Sequence, residues 1–383
     1  MSVKLCLSKL KNQRRVIGTI IPIAVVQVAW WAYMFSNTSL LGTIFLESVG
    51  DYGLPRYIMS IVMVFGSMIA GATSEGGASV AFPVMTLALN INPVTARDFS
   101  LMIQTVGMTA AAITILSIDV PLERNTIVWV SVGGSFGIIV GLECIAPLLP
   151  PAFAKMYFVV IWAAFALSLY FLNINRHRHV YDSIQDWNCN FRENWRRPAI
   201  LLTGFIGGIL SSISGSGIDI CSFAVITLLF RVSEKVATPT SVVIMAVNTS
   251  IGFFWRACIQ QQIEVEAWKY FAVCIPVVVF GAPIGSVISS YLDRLCLARL
   301  IYILDSMQLV IADAIIRPWS SLYLSLSSIF IFFLFAYLFF WLSSAGLKLM
   351  KSFPKIKENN VVNNEMVVIS KQSESPHPTV NTI

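Results

Sequence analysis

Apolar residues in this chain gather into runs close to the roughly 20 residues that a helix needs to cross about 30 Å of hydrocarbon. They fall at 16–34, 101–118, 126–149, 152–173, 236–255, 267–291, 295–316 and 320–346. Eight such runs predict an all-α, polytopic membrane protein embedded in a lipid bilayer. Composition agrees: 12% of the 383 residues are charged, against roughly 25% in soluble domains, and the mean hydropathy is +0.75. The formal charge of +6 does not indicate nucleic acid, because the Lys and Arg stand in short segments beside the runs, where resistance to translocation accounts for them.

The seven cysteines are irregularly spaced and mostly lie inside apolar runs, as Cys144, Cys221, Cys258 and Cys274 do, without a C-x-x-C. They read as small buried hydrophobes, so no metal site, cofactor or disulfide framework is expected. The histidines of the RHRH stretch at 176–179 sit in a basic loop and are not read as a metal tract. Arg14 and Arg15 precede a first run that is long, aromatic-ended and without a small-x-small cleavage site, which reads as a signal anchor rather than a cleaved peptide.

Basic residues set the expected sidedness. Lys4, Lys9, Lys11, Arg14 and Arg15, the linker bases Arg176, Arg178, Arg192, Arg196 and Arg197, and the tail bases Lys348, Lys351, Lys355 and Lys357 place both termini and the linker in the cytoplasm. The loop at 35–56, with Glu47 and Asp51 against Arg56, and the loop at 259–266, with Glu264 and Glu266, are expected on the other side. The sequon Asn37-Thr38-Ser39 falls in the first of these and permits N-glycosylation in a eukaryotic host, a chance match being the alternative. Four ordinary runs already join a cytoplasmic N-terminus to a cytoplasmic linker, so the stretch Tyr57 to Asn90 must return to the side it entered. As one helix it would measure roughly 51 Å, too long for one crossing. It is expected to be a re-entrant pair of helices broken near Glu75-Gly76-Gly77, within GATSEGGASVAFP at 71–83. Residues 199–231, broken near Gly215-Ser216-Gly217 in SSISGSGIDICSF at 211–223, meet the same constraint from the cytoplasmic side.

An internal repeat joins the two breaks. A shift of 141 positions aligns Gly66 with Gly207, Gly76 with Gly217, Phe82 with Phe223, Thr86-Leu87 with Thr227-Leu228, Ala96 with Ala237 and Ser100 with Ser241. With a small insertion, Gly137-x-x-x-Gly141 meets Gly281-x-x-x-Gly285, and Lys155 meets Arg299. Each half is a broken hairpin plus three crossings, an odd number, so the halves are expected to be inverted. Inverted repeats with discontinuous helices are the architecture of many secondary transporters, which bind substrate near the midplane at the breaks. The expected organisation is 1–56 for the N-terminus, first helix and loop, 57–174 and 199–316 for the repeats about a linker at 175–198, 317–350 for a last helix, and 351–383 for a polar tail too poor in hydrophobes to order.

Gly76-Gly77 with Pro83, Gly215-Ser216-Gly217, Ala96 through Ser100 and Ala237 through Ser241, with its Thr240-Ser241, make the chain resemble the sulfite exporter TauE/SafE family over most of 57–316. The resemblance implies carriage of sulfite, organosulfonates or related small anions. The chain departs from the family in three places: Ser74-Glu75 stand where the family has glycines, Ala224 replaces a second proline, and Asp219 adds a carboxylate.

The residues themselves suggest how an anion would be held. Glycine lets backbone N–H groups at a half-helix start approach a ligand, and Ser74, Ser79 and Ser216 offer hydroxyls beside Gly76, Gly77, Gly215 and Gly217. Ser100, Gln104, Thr105, Ser241 and Asn248, on the helices next in sequence, could complete a polar cavity or simply pack helices. Glu75 and Asp219 either cap half-helices or hold a coupling proton or cation, since burial disfavours an uncompensated carboxylate. Asp305, midway along the run 295–316, belongs either to an ion path or, more simply, to a helix–helix hydrogen bond. Arg97 and Arg256 either attract anions or anchor at the interface. An anion channel, or a receptor or scaffold without transport, are the competing classes; no H-E-x-x-H or histidine box suggests an enzyme. A homo-oligomer is left open.

Overall fold

The computed structural model of the protein describes residues 2–36, 48–49, 54–73, 75–174, 181, 183 and 195–352. Ser74, the sequon Asn37-Thr38-Ser39, Glu47, Asp51, the linker bases Arg176, Arg178 and Arg192, the tail bases Lys355 and Lys357 and the tail from 353 lie outside the described residues. The helices are α1 (Ser2–Ser36), α2 (Tyr57–Ala72), α3 (Ala78–Pro83), α4 (Pro93–Ser117), α5 (Arg124–Val140), α6 (Pro151–Ile174), α7 (Arg196–Ser214), α8 (Ile218–Ala224), α9 (Glu234–Phe254), α10 (Val265–Tyr291), α11 (Arg294–Ile316) and α12 (Leu322–Ser352). Among the described residues nine helical spans are long and apolar enough to cross a membrane. Eight coincide with the apolar runs. The ninth is α7, whose 19 residues reach about 28 Å at 1.5 Å per residue; the sequence reading counts it only as a hairpin arm.

Both breaks fall where the glycines stand. α2 stops at Ala72 and α3 starts at Ala78, while α7 stops at Ser214 and α8 starts at Ile218. The two ends of the first broken stretch lie together: Arg56 forms a bidentate pair with Glu266 (2.9 and 3.0 Å), and Thr95 hydrogen-bonds to the neighbouring Glu264. The ends of the second are also together, with the Trp195 and Phe230 rings stacked at 6.2 Å. Each stretch therefore turns back on itself.

Several residues 141 positions apart share their local geometry. α3 widens into a π turn at Val84–Ala88 and α8 does so at Val225–Leu229. Thr86 and Thr227 each donate to the carbonyl four residues back, Phe82 O and Phe223 O, at 2.7 Å. Asn90 and Arg231 take left-handed φ of 53° and 56°, and the following helices are capped by Asn92, accepting from Val94 N–H at 3.1 Å, and Ser233, accepting from Lys235 N–H at 3.4 Å. Such caps satisfy N–H groups that a helix start leaves open. The repeat-related helices α4 and α9 pack side by side, start against end: Asp98 near the start of α4 pairs with Arg256 after α9, and Glu123 after α4 donates its N–H to Thr240 near the start of α9 (3.1 Å).

Glycine faces bring the halves together. α5 lies on α7 and α2 on α10, each pair joining opposite halves. A Cβ at Gly133 or Gly137 would stand 2.0 Å from Leu201 O or Phe205 O, and one at Gly285 would stand 2.0 Å from Met68 O. Where lipid gives no hydrophobic drive, such backbone contact supplies the packing energy. The spacing Gly133-x-Ser135-x-Gly137 lies inside this continuous helix, with Ser135 donating to Ser131 O at 2.6 Å. It is a packing face and not the strand-to-helix turn of a nucleophile.

α6 braces both broken stretches through its aromatic rings. Phe158 meets Phe82 of the first arm at 5.2 Å, and Phe165 meets Phe223, its repeat counterpart, at 5.9 Å. α1 is fastened outside this core at a proline. Pro276 has no N–H for the Ala272 carbonyl, and the Trp30 indole donates to it instead at 2.7 Å. Gly137→Ala, which drives a methyl into the Phe205 carbonyl, is expected to cost about 1–3 kcal/mol, read as a lowered thermal unfolding midpoint in detergent, whereas Ser135→Ala should leave the midpoint nearly unchanged.

Candidate functional site

The two tips meet inside the molecule at repeat-equivalent residues, Glu75 and Ser216. The Ser216 hydroxyl lies 3.2 Å from the Glu75 carbonyl and also hydrogen-bonds to the Asp219 carboxylate. Gly76 and Gly215 adopt φ of 70° and 87°, open to glycine at little cost. Each tip is held by a helix from the other part of the chain, α4 for the second and α9 for the first. Gln104 of α4 donates to Gly215 O at 3.0 Å, and Met245, at the equivalent place on α9, lies so close to Gly76 that a Cβ there would be 1.9 Å from its Cε.

The tips are closed to solvent. Glu75, Ser79, Ser100, Asp219, Ser241, Asn248 and Asp305 are all 0% exposed. Ser79 donates to Gly76 O (2.7 Å), Ser241 to Thr238 O (2.8 Å) and Thr105 to Leu101 O (2.8 Å), so these hydroxyls serve their own backbone. Gly77 and Gly217 form the last residues of the two turns. Ser211 accepts the N–H of Ile218 at 3.0 Å, and the Asp219 carboxylate lies beside the backbone N–H groups of Gly217, Asp219 and Ile220. The expected half-helix cap is thus one part of Asp219's environment.

Other polar atoms at the tips lack partners. Ser100 Oγ, both amide atoms of Asn248, Gln104 Oε1, Asp219 Oδ1 and all four carboxylate oxygens of Glu75 and Asp305 are buried with no hydrogen-bond donor or acceptor among the described residues. Ser100 and Asn248 belong to the second tip: a Cβ on Gly215 would stand 2.6 Å from Ser100 Cβ, and one on Gly134 would touch both Ile218 and Asn248. Buried orphans of this kind are uncommon and concentrate where a ligand or ion belongs.

Two sequence expectations are corrected. Asp305 does not take the simple helix–helix hydrogen bond from a donor; it brings its carboxyl within hydrogen-bonding reach of the Glu75 carboxyl. The signal for it was present, since an acid in mid-run marks a functional position, but a sequence does not reveal which face of α11 meets the tip. Arg97 and Arg256 are not interfacial anchors. Both are 5% exposed and grip Asp98, itself 0% exposed, with Arg97 Nη2 at 2.8 Å and Arg256 Nη2 at 2.6 Å. Gly215 packs against the Arg97 carbonyl, so this ionic cluster supports the second tip. The importance of Asp98, beside Arg97 in sequence, was not read from the sequence. No group of three or more His, Cys, Asp or Glu suited to a metal ion occurs among the described residues.

Nine membrane-length spans among the described residues, one of them the first arm of the second broken hairpin, and two buried tips that meet one another belong to a multi-pass membrane transporter. Residues 58–307 match the family described as Sulfite exporter TauE/SafE, and the chain belongs to that family. The match takes in both tips and Asp305 and leaves α1 and α12 outside. No curated protein and no solved structure matches the chain.

Removing Asp98 would leave two guanidinium groups buried without a counter-charge. Asp98→Ala is expected to destabilise by about 3–5 kcal/mol, measured by thermal or denaturant unfolding of the purified protein. Gly215→Ala, strained at positive φ, should cost about 1–2 kcal/mol and reduce transport further than expression.

Proposed function

We propose that the protein is a secondary carrier of a small oxyanion, sulfite or an organosulfonate being the class the family suggests, which binds between the two tips. The observation that carries this is the pair of buried donors at the second tip, Ser100 Oγ and Asn248 Nδ2, which have no acceptor among the described residues. A small anion would supply the acceptors they lack, and Gly76, Gly77, Gly215, Gly217 and Ser216 would bring main chain close to it. The antiparallel contact of the repeat-related α4 and α9 supports inverted halves, with one hairpin entering from each leaflet. The basic flanks support cytoplasmic termini. Glu75 and Asp219 then serve coupling: charged, they would repel the anion, so proton uptake and anion binding favour one another.

Purified protein in liposomes should carry one class of anion saturably, with competition among sulfite, sulfonates and sulfate, and should respond to an imposed pH or sodium gradient. Hydrogen bonds to charged groups are worth about 1.5–3 kcal/mol, so Ser100→Ala and Asn248→Ala should each raise the KM for that anion roughly ten- to a hundredfold. Non-saturating current, or flux of neutral controls at the same rate, would sink the carrier reading.

A further inference from the structure

We infer that the coupling proton is held between Glu75 and Asp305, so that α11, which lies outside either hairpin, carries half of the proton site. This rests on the carrier reading above. The two carboxyl groups are within hydrogen-bonding reach of one another, and both residues are 0% exposed. A carboxylate only accepts hydrogen bonds. Two of them in contact, with no donor for any of their four oxygens among the described residues, hold together only when one carries a hydrogen. The surroundings add acceptors: Gln104 Oε1 is also buried without a donor, and it faces Gly76, one residue from Glu75.

The turn itself does not require these acids. The second half builds the equivalent break with Ser216 where the first has Glu75, and Ala78 and Ile161 stand at the counterparts of Asp219 and Asp305. Glu75 and Asp305 therefore each lack an acidic counterpart 141 or 144 positions away. Asp219 is the remaining charged group acting on the pair, and its carboxylate is engaged by the Ser216 hydroxyl. On the other elements that meet the tips, Gln104 of α4, Met245 of α9 and Ser216 do not titrate. In the step proposed, a proton from water bonds to one carboxylate oxygen of the pair, bridges to the other group, and is returned to water on the opposite side. Loss of the proton leaves two like charges in contact, which separates α11 from the first tip and opens the closed arrangement.

The full chain in liposomes, with Glu75→Gln, Asp305→Asn and Asp305→Glu, tests this. Glu75→Gln and Asp305→Asn should each abolish accumulation driven by a pH gradient, at least tenfold, while substrate exchange continues and no longer varies with pH. Asp305→Glu should restore the pH dependence. Infrared difference spectra of the same proteins on a pH jump, without substrate, should contain a protonated-carboxyl stretch that both neutral variants lose. Wild-type pH dependence together with an unchanged carboxyl band in Asp305→Asn would overturn the inference. If none of the anions moves, the carrier reading falls, and the carboxyl band still decides where the proton sits.

Discussion

Backbone freed from a helix inside hydrocarbon has no water to turn to, and each unsatisfied group costs several kcal/mol. Everything distinctive in this molecule answers that constraint. Each broken tip is covered by the other and by the helix across from it: Ser216 reaches the Glu75 carbonyl, Gln104 the Gly215 carbonyl, and Met245 closes over Gly76. Neither half could bury its break alone. The glycine faces of α5 and α10 follow from the same need, because the arms α7 and α2 must approach within backbone contact for the tips to be sealed.

Within this shared frame, the polar groups are distributed unequally. The hydroxyls of Ser79, Ser241, Thr86 and Thr227 are bonded to local carbonyls, the two threonines at positions 141 apart. The carboxylates do not recur. Glu75, Asp219 and Asp305 have neutral counterparts, and Glu75 and Asp305 have no donor to stabilise their charge among the described residues. The cluster of Asp98 with Arg97 and Arg256 is a buried charge of a different kind, paired on both sides and suited to fixing α4 against the end of α9. Satisfied and unsatisfied charge thus separate the scaffold from the site.

Much of the scaffold could be read in advance because it depends on patterns local to the chain. Runs of membrane length and the glycine breaks near 76 and 216 rest on short segments of the chain, and the helix ends appear at those places. α7 was read as a short arm although it attains crossing length, because an arm and a span differ in where the end lies and not in composition.

The sequence by itself determined that the chain crosses a membrane repeatedly and where its two glycine-rich stretches interrupt the helices. Hydropathy and glycine content act residue by residue, so they are visible without coordinates. Only the tertiary structure decided that Asp305 faces Glu75, that Arg97 and Arg256 converge on Asp98, and that Ser100 Oγ and Asn248 have no partner among the described residues while Ser79 and Ser241 have them. Those outcomes depend on the rotation of one helix against another across as many as 230 positions of chain between Glu75 and Asp305, which packing sets and no local pattern encodes.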